Sequence, residues 1–332
     1  MDQSIRFCTT ADGVRIAYAT SGKGSPIVRP GHWLTHLEYD LKSPVSRPML
    51  MGLSEQHTLV RYDPRGTGMS DRDVGDISPQ LWLLDLEAVV DALGLDRFAL
   101  IGMSQGGPAA IRYAVKHPHK VTHLILFGSY ARGRLHRDDG EFNAAMLDAM
   151  TTLIIQGWGS DNQSYRELFS ARYVDSANRE HIRWLNELEA VSASPEMAAR
   201  YFRALADIDV RHLLPQVKAP TLVLHCRGDR ATPLRLGREL AAGITGAKFV
   251  ALEGSNHILL EHEPAQQAFF LEVRRFLGDR RRLVSRNAVA RHARNWRALV
   301  SHVHHTVEPY YVIAAVASLA IGSISYIIAR FG

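Results

Sequence analysis

Two kinds of hydrophobic pattern alternate along the first 130 residues. Short apolar or alternating runs are typical of strands, and between them apolar residues recur every three or four positions, as on one face of a helix. We predict helices over 43–56, 80–93 and 108–116, and strands over 5–10, 14–19, 26–29, 58–62, 98–101 and 121–127. Strands that alternate with helices favour an α/β fold, in which helices cover both faces of a mostly parallel central sheet.

The pattern changes at residue 131, and no convincing strand follows before residue 214. Helical spacing predicts four helices there, over 141–156, 164–174, 179–191 and 195–206. Strand patterns resume at 221–226 and 248–252, followed by helical patterns at 233–243 and 264–277. We therefore predict a core made of residues 1–130 and 215–278, with residues 131–214 inserted as a helical cap. The aromatic residues of this cap are expected mainly to pack together: Trp158, Phe169, Tyr173, Trp184, Tyr201 and Phe202.

Residues 309–329 carry no charged side chain. An apolar helix of about 20 residues matches the hydrocarbon thickness of a bilayer, and Tyr310, Tyr311 and Tyr326 would lie near its interfaces. We predict a single C-terminal transmembrane helix; the alternative is a buried helix of a soluble domain. The small residues at every fourth position would allow two such helices to pack closely as a homodimer: Ala314, Ser318 and Gly322.

The positive charge of the chain is concentrated just before this stretch. Residues 279–332 contain eight arginines and only two acidic residues, Asp279 and Glu308, so their net charge is +6. The whole chain has a net charge of +5, so residues 1–278 have a net charge of −1. That balance argues against nucleic-acid binding by the body of the protein. The basic segment, 279–308, is expected to remain on the cytoplasmic side, with residues 280–297 lying on anionic lipid. Residues 1–278 would then face the cytoplasm from a membrane anchor.

The rest of the composition predicts an ordinary globular core. With 332 residues, 46% of them hydrophobic, the chain can bury a sizeable apolar interior. Cys8 and Cys226 are far apart and belong to no C-x-x-C or Cys/His cluster, so neither a disulfide framework nor a structural zinc site is expected. The first six residues do not resemble a signal peptide. We expect no metal and no organic cofactor.

A candidate nucleophile lies between the predicted strand 98–101 and the predicted helix 108–116. The intervening sequence, Gly102-Met-Ser-Gln-Gly106, is a G-x-S-x-G pattern, which in a strand–turn–helix context indicates a nucleophile elbow with Ser104 exposed at its tip. Side chains at positions 102 and 106 would collide with neighbouring backbone. The alternative is a glycine-rich loop with an incidental serine. A second glycine-rich loop, 63–70, lacks the phosphate-binding patterns and is interpreted as a tight turn.

A serine hydroxyl needs a general base, and that base needs an orienting carboxylate. His257 follows the predicted strand 248–252 directly, and Asp229 follows the strand 221–226. Loops at the carboxyl ends of parallel strands converge, so Ser104, Asp229 and His257 are predicted to form a triad. His262, before the last helix, is the nearest competitor for the base, and the alternative role for Asp229 is an N-cap of the following helix.

Two backbone N–H groups are expected to hold the oxyanion of the tetrahedral intermediate. One belongs to Gln105, the residue after the nucleophile, and the other to His32 in the loop after the strand 26–29. Trp33, next in that loop, is expected in the wall of the substrate pocket.

These motifs resemble the α/β-hydrolase family over roughly residues 5–278. The resemblance rests on segments in family order: Pro30-Gly-His-Trp33, Asp63-Pro-Arg-Gly-Thr-Gly-Met-Ser70, Gly102-Met-Ser-Gln-Gly106, Gly228-Asp229 and Gly254-Ser-Asn-His257. Pro30 departs from it, since many members have His before that glycine. More narrowly, residues 7–18 and 206–214 are similar to hydrolase domains fused to bacterial adenylate cyclase or LuxR-type regulatory domains.

The resemblance implies a serine hydrolase that acts on carboxylic esters of small molecules through an acyl-enzyme. Lactone, C–C bond or peracid chemistry could use the same triad, because these reactions differ in pocket shape rather than in triad residues. A membrane-anchored sensor of small molecules, with little turnover, is the alternative from another class.

Overall fold

The computed structural model describes residues 2–138, 140–175 and 178–279, apart from the side chains of residues 140, 141, 163 and 166. Residues 1–277 form one compact unit, built around an eight-stranded sheet. The strands are β1 (Gln3–Thr9), β2 (Arg15–Ser21), β3 (Ser25–Arg29), β4 (His57–Tyr62), β5 (Phe98–Met103), β6 (Val121–Phe127), β7 (Thr221–Cys226) and β8 (Lys248–Leu252).

The sheet has the strand order β1-β2-β4-β3-β5-β6-β7-β8. Strands β1 and β2 form an antiparallel hairpin, with Gly13 at φ +88° in its turn, and β2 pairs antiparallel with β4. The remaining pairs, from β4–β3 through β7–β8, are parallel. The parallel strands therefore bring their carboxyl ends to one edge of the sheet, where the loops after β3, β5, β7 and β8 meet.

Helices cover both faces of the sheet, as the sequence predicts. The helices of the core are α1 (Leu37–Asp40), α2 (Arg47–Ser54), α3 (Pro79–Ala92), α4 (Gly106–Lys116), α9 (Leu234–Gly243) and α10 (Pro264–Leu277). Successive strand residues pack on opposite faces: Leu100 joins the apolar cluster of α3 and α4, whereas Ile101 joins that of α2 and α10. Burial on both faces explains why these strands are continuous apolar runs.

Residues between β6 and β7 form the helical insertion that the sequence predicts. Its helices are α5 (Gly140–Gly157), α6 (Gln163–Ser170), α7 (Arg179–Ser192) and α8 (Pro195–Ala206), with a short 3₁₀ helix at Arg134–His136 before them and another at Arg211–Gln216 after them. Among the described residues of this segment there is no strand, only an isolated bridge between Arg132 and Asp209. The predicted helix 164–174 ends earlier, at Ser170. Hydrogen-bonded turns follow it, and the Tyr173 carbonyl accepts the N–H groups of His257 (2.9 Å) and Ile258 (3.1 Å).

The predicted membrane-spanning segment, 309–329, and most of the basic segment before it lie outside the described residues. Among the residues that the structure does describe, no helix combines the length and apolar character needed to cross a bilayer. The anchor therefore stays a prediction.

Candidate active site

Ser104 lies at the sharp turn between β5 and α4. Its φ of +50° is the only positive value for a non-glycine residue in the described parts of the chain. Two contacts hold this unusual backbone: the Ser104 N–H donates to the Phe127 carbonyl at 2.9 Å, and the Ser129 hydroxyl donates to the Ser104 carbonyl at 2.7 Å. A strained residue held by its neighbours at a strand end is typical of a functional site. The backbone turn at Ser104 therefore has the geometry expected of a nucleophile elbow.

The glycines of the elbow allow β5 and α4 to approach each other closely. A Cβ atom on Gly102 would lie 2.6 Å from the Cα atom of Gly107, and one on Gly106 would lie 3.2 Å from the Pro30 carbonyl oxygen. The tightest position is Gly107, where a Cβ would lie 1.7 Å from the Ser129 hydroxyl oxygen. The expected crowding is severe at position 102 and milder at position 106, and position 107 carries a constraint that the five-residue pattern does not include.

Three predicted side chains form one continuous hydrogen-bonded chain. The Ser104 Oγ atom lies 2.8 Å from His257 Nε2, and His257 Nδ1 lies 2.7 Å from Asp229 Oδ2. His257 and Asp229 are both buried, whereas Ser104 is partly exposed. His262 is exposed and lines neither cavity beside Ser104. The structure thus places Ser104, His257 and Asp229 in the arrangement of a nucleophile, a base and an orienting carboxylate.

The carboxylate of Asp229 is held in its charged form. Burial alone would raise the pKa of Asp229, but the charge of His257, the hydrogen bond from His257 and that from the Thr232 N–H together lower it. Asp229 Oδ1 accepts the N–H groups of Ala231 and Thr232, both at 2.9 Å. The carboxylate therefore holds the turn at residues 231–232 as well as contacting the histidine. It is not the N-cap of α9, as the alternative interpretation proposed, because that position is occupied by Pro233.

Two further residues support this carboxylate and were not predicted. The Thr232 hydroxyl lies 3.0 Å from Asp229 Oδ2 and 2.8 Å from the Gly128 carbonyl, and it is 2.9 Å from His257 Nδ1. The His225 Nε2 atom lies 2.6 Å from the Thr232 carbonyl, and burial lowers the pKa of His225. The only feature of the sequence that could have pointed to Thr232 is its place three residues after Asp229. Threonine is common in turns, so this spacing is not specific.

The two predicted oxyanion donors are the backbone N–H groups of His32 and Gln105. Both His32 and Gln105 line the first cavity beside Ser104. Among the described residues, neither backbone N–H has an acceptor in the hydrogen bonds of the site. Burial, together with the charges of Arg29, Arg61 and His257, holds the pKa of His32 well below its ordinary value, so this imidazole is neutral.

Trp33 joins the loop after β3 to the cap. Its indole stacks on Trp158 at 4.9 Å and contacts Phe169 edge-on at 6.3 Å. With its side-chain oxygen turned toward Trp33, Gln105 accepts the backbone N–H of Trp33 at 3.1 Å and its indole N–H at 2.9 Å. Trp33 lines both cavities beside Ser104, as expected for a residue of the pocket wall.

Two cavities meet at the catalytic serine. The first is mainly apolar and is bounded by Val45, Met49, Met103, Phe127, Leu185, Leu188, Ile258 and Leu259, among others. The second lies under the cap and includes Tyr130, Arg134, Arg137, Leu147, Arg172 and Phe202. Trp33, Ser104, Gln105, Tyr173 and His257 line both.

The cap aromatics pack as expected, in two ways. Three of them contact one another, namely Trp158, Phe169 and Tyr173. The other three contact aromatic residues of the core, namely Trp184, Tyr201 and Phe202. Tyr173 and Phe202 also line the second cavity.

Comparison with known proteins places this geometry in a family. The alpha/beta hydrolase fold model matches residues 40–264. A Bacillus subtilis relative, the AB hydrolase superfamily protein YisY, is 28% identical over 256 residues, covering 76% of this chain and 91% of its own. The 2-hydroxy-6-oxo-6-phenylhexa-2,4-dienoate hydrolase of Comamonas testosteroni is 28% identical over 198 residues, covering 57% of this chain and 68% of its own. A crystal structure of a Pseudomonas aeruginosa PA01 hydrolase superposes with a TM-score of 0.67 at 26% identity, covering 83% of this chain and 98% of that one.

The chain therefore belongs to the α/β-hydrolase fold family, with a mostly parallel sheet flanked by helices. Hydrolases among its relatives support a hydrolase. The narrower similarity to domains fused to adenylate cyclase or LuxR-type regulatory domains is not shown by these matches.

Proposed function

We propose that this protein is a serine hydrolase that cleaves carboxylic esters of small molecules. The observation that carries the proposal is the unbroken chain from Ser104 through His257 to Asp229, at the meeting point of two cavities. Each of these three residues has a chemical role that follows from its position.

In the first half of the reaction, Ser104 Oγ attacks the carbonyl carbon and its proton passes to His257 Nε2. The carbonyl oxygen becomes an oxyanion that accepts the N–H groups of His32 and Gln105. Asp229 stabilises the imidazolium through the Nδ1 hydrogen bond. When the intermediate collapses, the bond to the alkoxy group breaks, His257 returns the proton to the leaving alcohol, and an acyl-enzyme remains.

In the second half, water replaces the alcohol. His257 takes a proton from the water as its oxygen attacks the acyl carbon, the bond to Ser104 Oγ breaks, and the serine recovers its proton. The products are a carboxylic acid, the alcohol and the free enzyme.

Steady-state hydrolysis of short p-nitrophenyl esters tests this proposal. Ser104→Ala is expected to lower kcat by about 10³-fold or more, because the substitution removes the nucleophile that forms the acyl-enzyme. Ser46→Ala is the matched control: its hydroxyl lines the same cavity but lies outside the Ser104–His257–Asp229 chain. Equal loss in both variants, or turnover that survives Ser104→Ala, would refute the proposal. A burst without sustained turnover would favour the sensor.

A second electrophile should be assayed in parallel. The Comamonas relative is named for a hydroxy-oxo-dienoate rather than for an ester. Cleavage of a C–C bond beside a ketone is therefore the second candidate reaction for this triad. Lactones and peracid formation belong in the same panel, because the triad is common to all of them.

We also propose that residues 309–329 anchor the enzyme to the membrane, with residues 1–278 on the cytoplasmic side. The uncharged stretch and the arginine-rich flank support this. The full chain should remain with membranes after an alkaline carbonate wash, whereas a chain ending at residue 278 should be released. Release of the full chain would contradict the anchor.

A further inference from the structure

The second cavity, under the cap, is lined by positively charged side chains. Its lining includes Arg134, Arg137 and Arg172, and no Asp or Glu among the described residues lines it. We call this part of the cavity the arginine pocket. Arg134 lies in the 3₁₀ helix that opens the insertion, Arg137 directly follows it, and Arg172 follows α6. All three arginines are partly buried, and the same cavity reaches Ser104 and His257.

These arginines lack the carboxylate partners that neighbouring arginines have. Arg132, close in sequence, pairs with Asp138 at 3.1 Å and with Glu239 at 3.0 Å. In the part of the chain that the structure describes, Arg134, Arg137 and Arg172 form no such ion pair. Arg137 instead lies over the Tyr130 ring at 5.5 Å, and Arg172 over the Phe202 ring at 5.9 Å. Aromatic faces orient a guanidinium group without neutralising its charge.

The pocket therefore holds positive charge that the described residues leave unbalanced. Burial, helped by the charges of Arg134, Arg235 and Arg132, lowers the pKa of Arg137 to about 10, which still leaves it charged at neutral pH. Burial and the charge of Arg172 lower the pKa of Arg134. The Nε atom of Arg172 is buried and has no hydrogen-bond partner among the described residues. Buried, mutually repelling cations are unfavourable unless an anion joins them.

We propose that the arginine pocket binds a carboxylate of the substrate, so that the preferred substrates are anionic carbonyl compounds. This rests on the proposed hydrolase function and deepens it. The carboxylate lies among the guanidinium groups, which can donate paired hydrogen bonds to it. The reacting carbonyl lies at Ser104, where the two cavities meet, and the apolar part of the substrate occupies the first cavity.

Pairs of isosteric esters test the proposal on the full chain. Mono-p-nitrophenyl glutarate carries a carboxylate on its acyl side, and p-nitrophenyl 5-oxohexanoate replaces that group with a neutral ketone. On the alcohol side, 3-carboxyphenyl butyrate is compared with 3-acetylphenyl butyrate. We expect kcat/KM to favour the anionic member of at least one pair by about 10- to 100-fold, the range of a charge-assisted hydrogen bond.

Substitutions in the pocket should remove this preference selectively. The triple variant Arg134→Gln/Arg137→Gln/Arg172→Gln is expected to lose the anionic preference, so that the ratio of kcat/KM for the anionic ester to kcat/KM for the neutral ester falls to near 1. The corresponding Lys variant should recover part of it, because charge is retained without the planar fork. Arg238→Gln is the matched control: Arg238 is exposed on α9 and does not line the pocket. The neutral ester also reports whether each variant is folded.

A binding measurement keeps this proposal separate from the proposed reaction. In Ser104→Ala, calorimetric binding of the anionic esters should be tighter than that of the neutral ones, and the pocket substitutions should abolish the difference. Neutral ester turnover without any anionic preference would overturn the arginine pocket and leave the hydrolase standing. Anionic binding without turnover of any ester would support the pocket and overturn the reaction. Inorganic phosphate that binds as tightly as the anionic esters would contradict a carboxylate substrate.

Discussion

Asp229 is the residue on which most contacts of the site converge. One carboxylate oxygen accepts two turn N–H groups, and the other contacts both His257 and the Thr232 hydroxyl. Since Thr232 also reaches Gly128 after β6, this hydroxyl joins the loops of two strands around the acid. The orientation of the base therefore depends on a residue that has no direct part in the proton transfer.

Thr232→Val tests this positioning role, because it keeps the shape of the side chain and the backbone N–H but removes the hydroxyl. We expect kcat to fall about tenfold, the size of one lost buried hydrogen bond, with KM almost unchanged. Thr232→Ser should restore kcat. A Val variant with wild-type kcat would show that the backbone alone positions the acid.

At the scale of elements, the cap is attached to the core through aromatic contacts beside the elbow. Trp158, just after α5, stacks on Trp33 and donates its indole N–H to the Ala193 carbonyl at 3.0 Å. Tyr201 of α8 stacks on Trp82 of α3 at 5.3 Å and donates to the Arg65 carbonyl at 2.6 Å. The insertion is thus packed on the core at the same place where it closes the cavities.

Trp158→Ala should destabilise the fold by about 3–5 kcal/mol, as expected for a large side chain removed from a packed site. Urea unfolding of the full chain measures this free energy. Trp184→Ala is the control: Trp184 is only partly buried and contacts Tyr39 at 4.8 Å, so its loss should cost less. Similar costs for the two variants would contradict the view that the Trp33–Trp158 contact joins cap and core.

The limits of the sequence-based prediction also lie at this scale. Strands β5, β6 and β7 could be predicted because burial makes them largely apolar. Ser104 and Asp229 could be predicted because their loops follow two of these strands, and His257 because its loop follows β8. The arginine pocket could not, since Arg134 lies in a short 3₁₀ helix and Arg137 and Arg172 lie in loops, where sequence spacing does not show which side chains meet. The predicted helix 164–174 is longer than α6 because apolar spacing alone does not mark where a helix ends.

At the scale of the whole molecule, the fold places charged groups inside as well as at the site. Asp63, at the end of β4, is fully buried and accepts the N–H groups of Leu37 (3.1 Å) and Met69 (2.9 Å) and the Thr35 hydroxyl. Burial, with a further contribution from Asp40, raises the pKa of Asp63 to about 6. The folded state therefore holds a proton on this carboxyl group more tightly than the unfolded chain does.

This raised pKa has a consequence for stability against pH. The contribution of Asp63 is fully present below its unfolded pKa of 3.8 and is lost as pH rises through about 6. Relative to Asp63→Asn, the wild-type free energy of unfolding should fall by about 2 kcal/mol between pH 4 and pH 7, because folding raises the pKa of this carboxyl group from 3.8 to about 6. Chemical unfolding at a series of pH values measures the difference. A difference that is constant or grows with pH would contradict the assigned direction.

The proposed hydrolysis requires above all that the fold activates Ser104 as a nucleophile. Labelling of the purified full chain with a fluorophosphonate, followed by peptide mass spectrometry, tests it directly. We expect one label per chain, on Ser104, absent from Ser104→Ala and retained in Ser46→Ala. A folded chain that stays unlabelled, or a label on another serine, would contradict the claim.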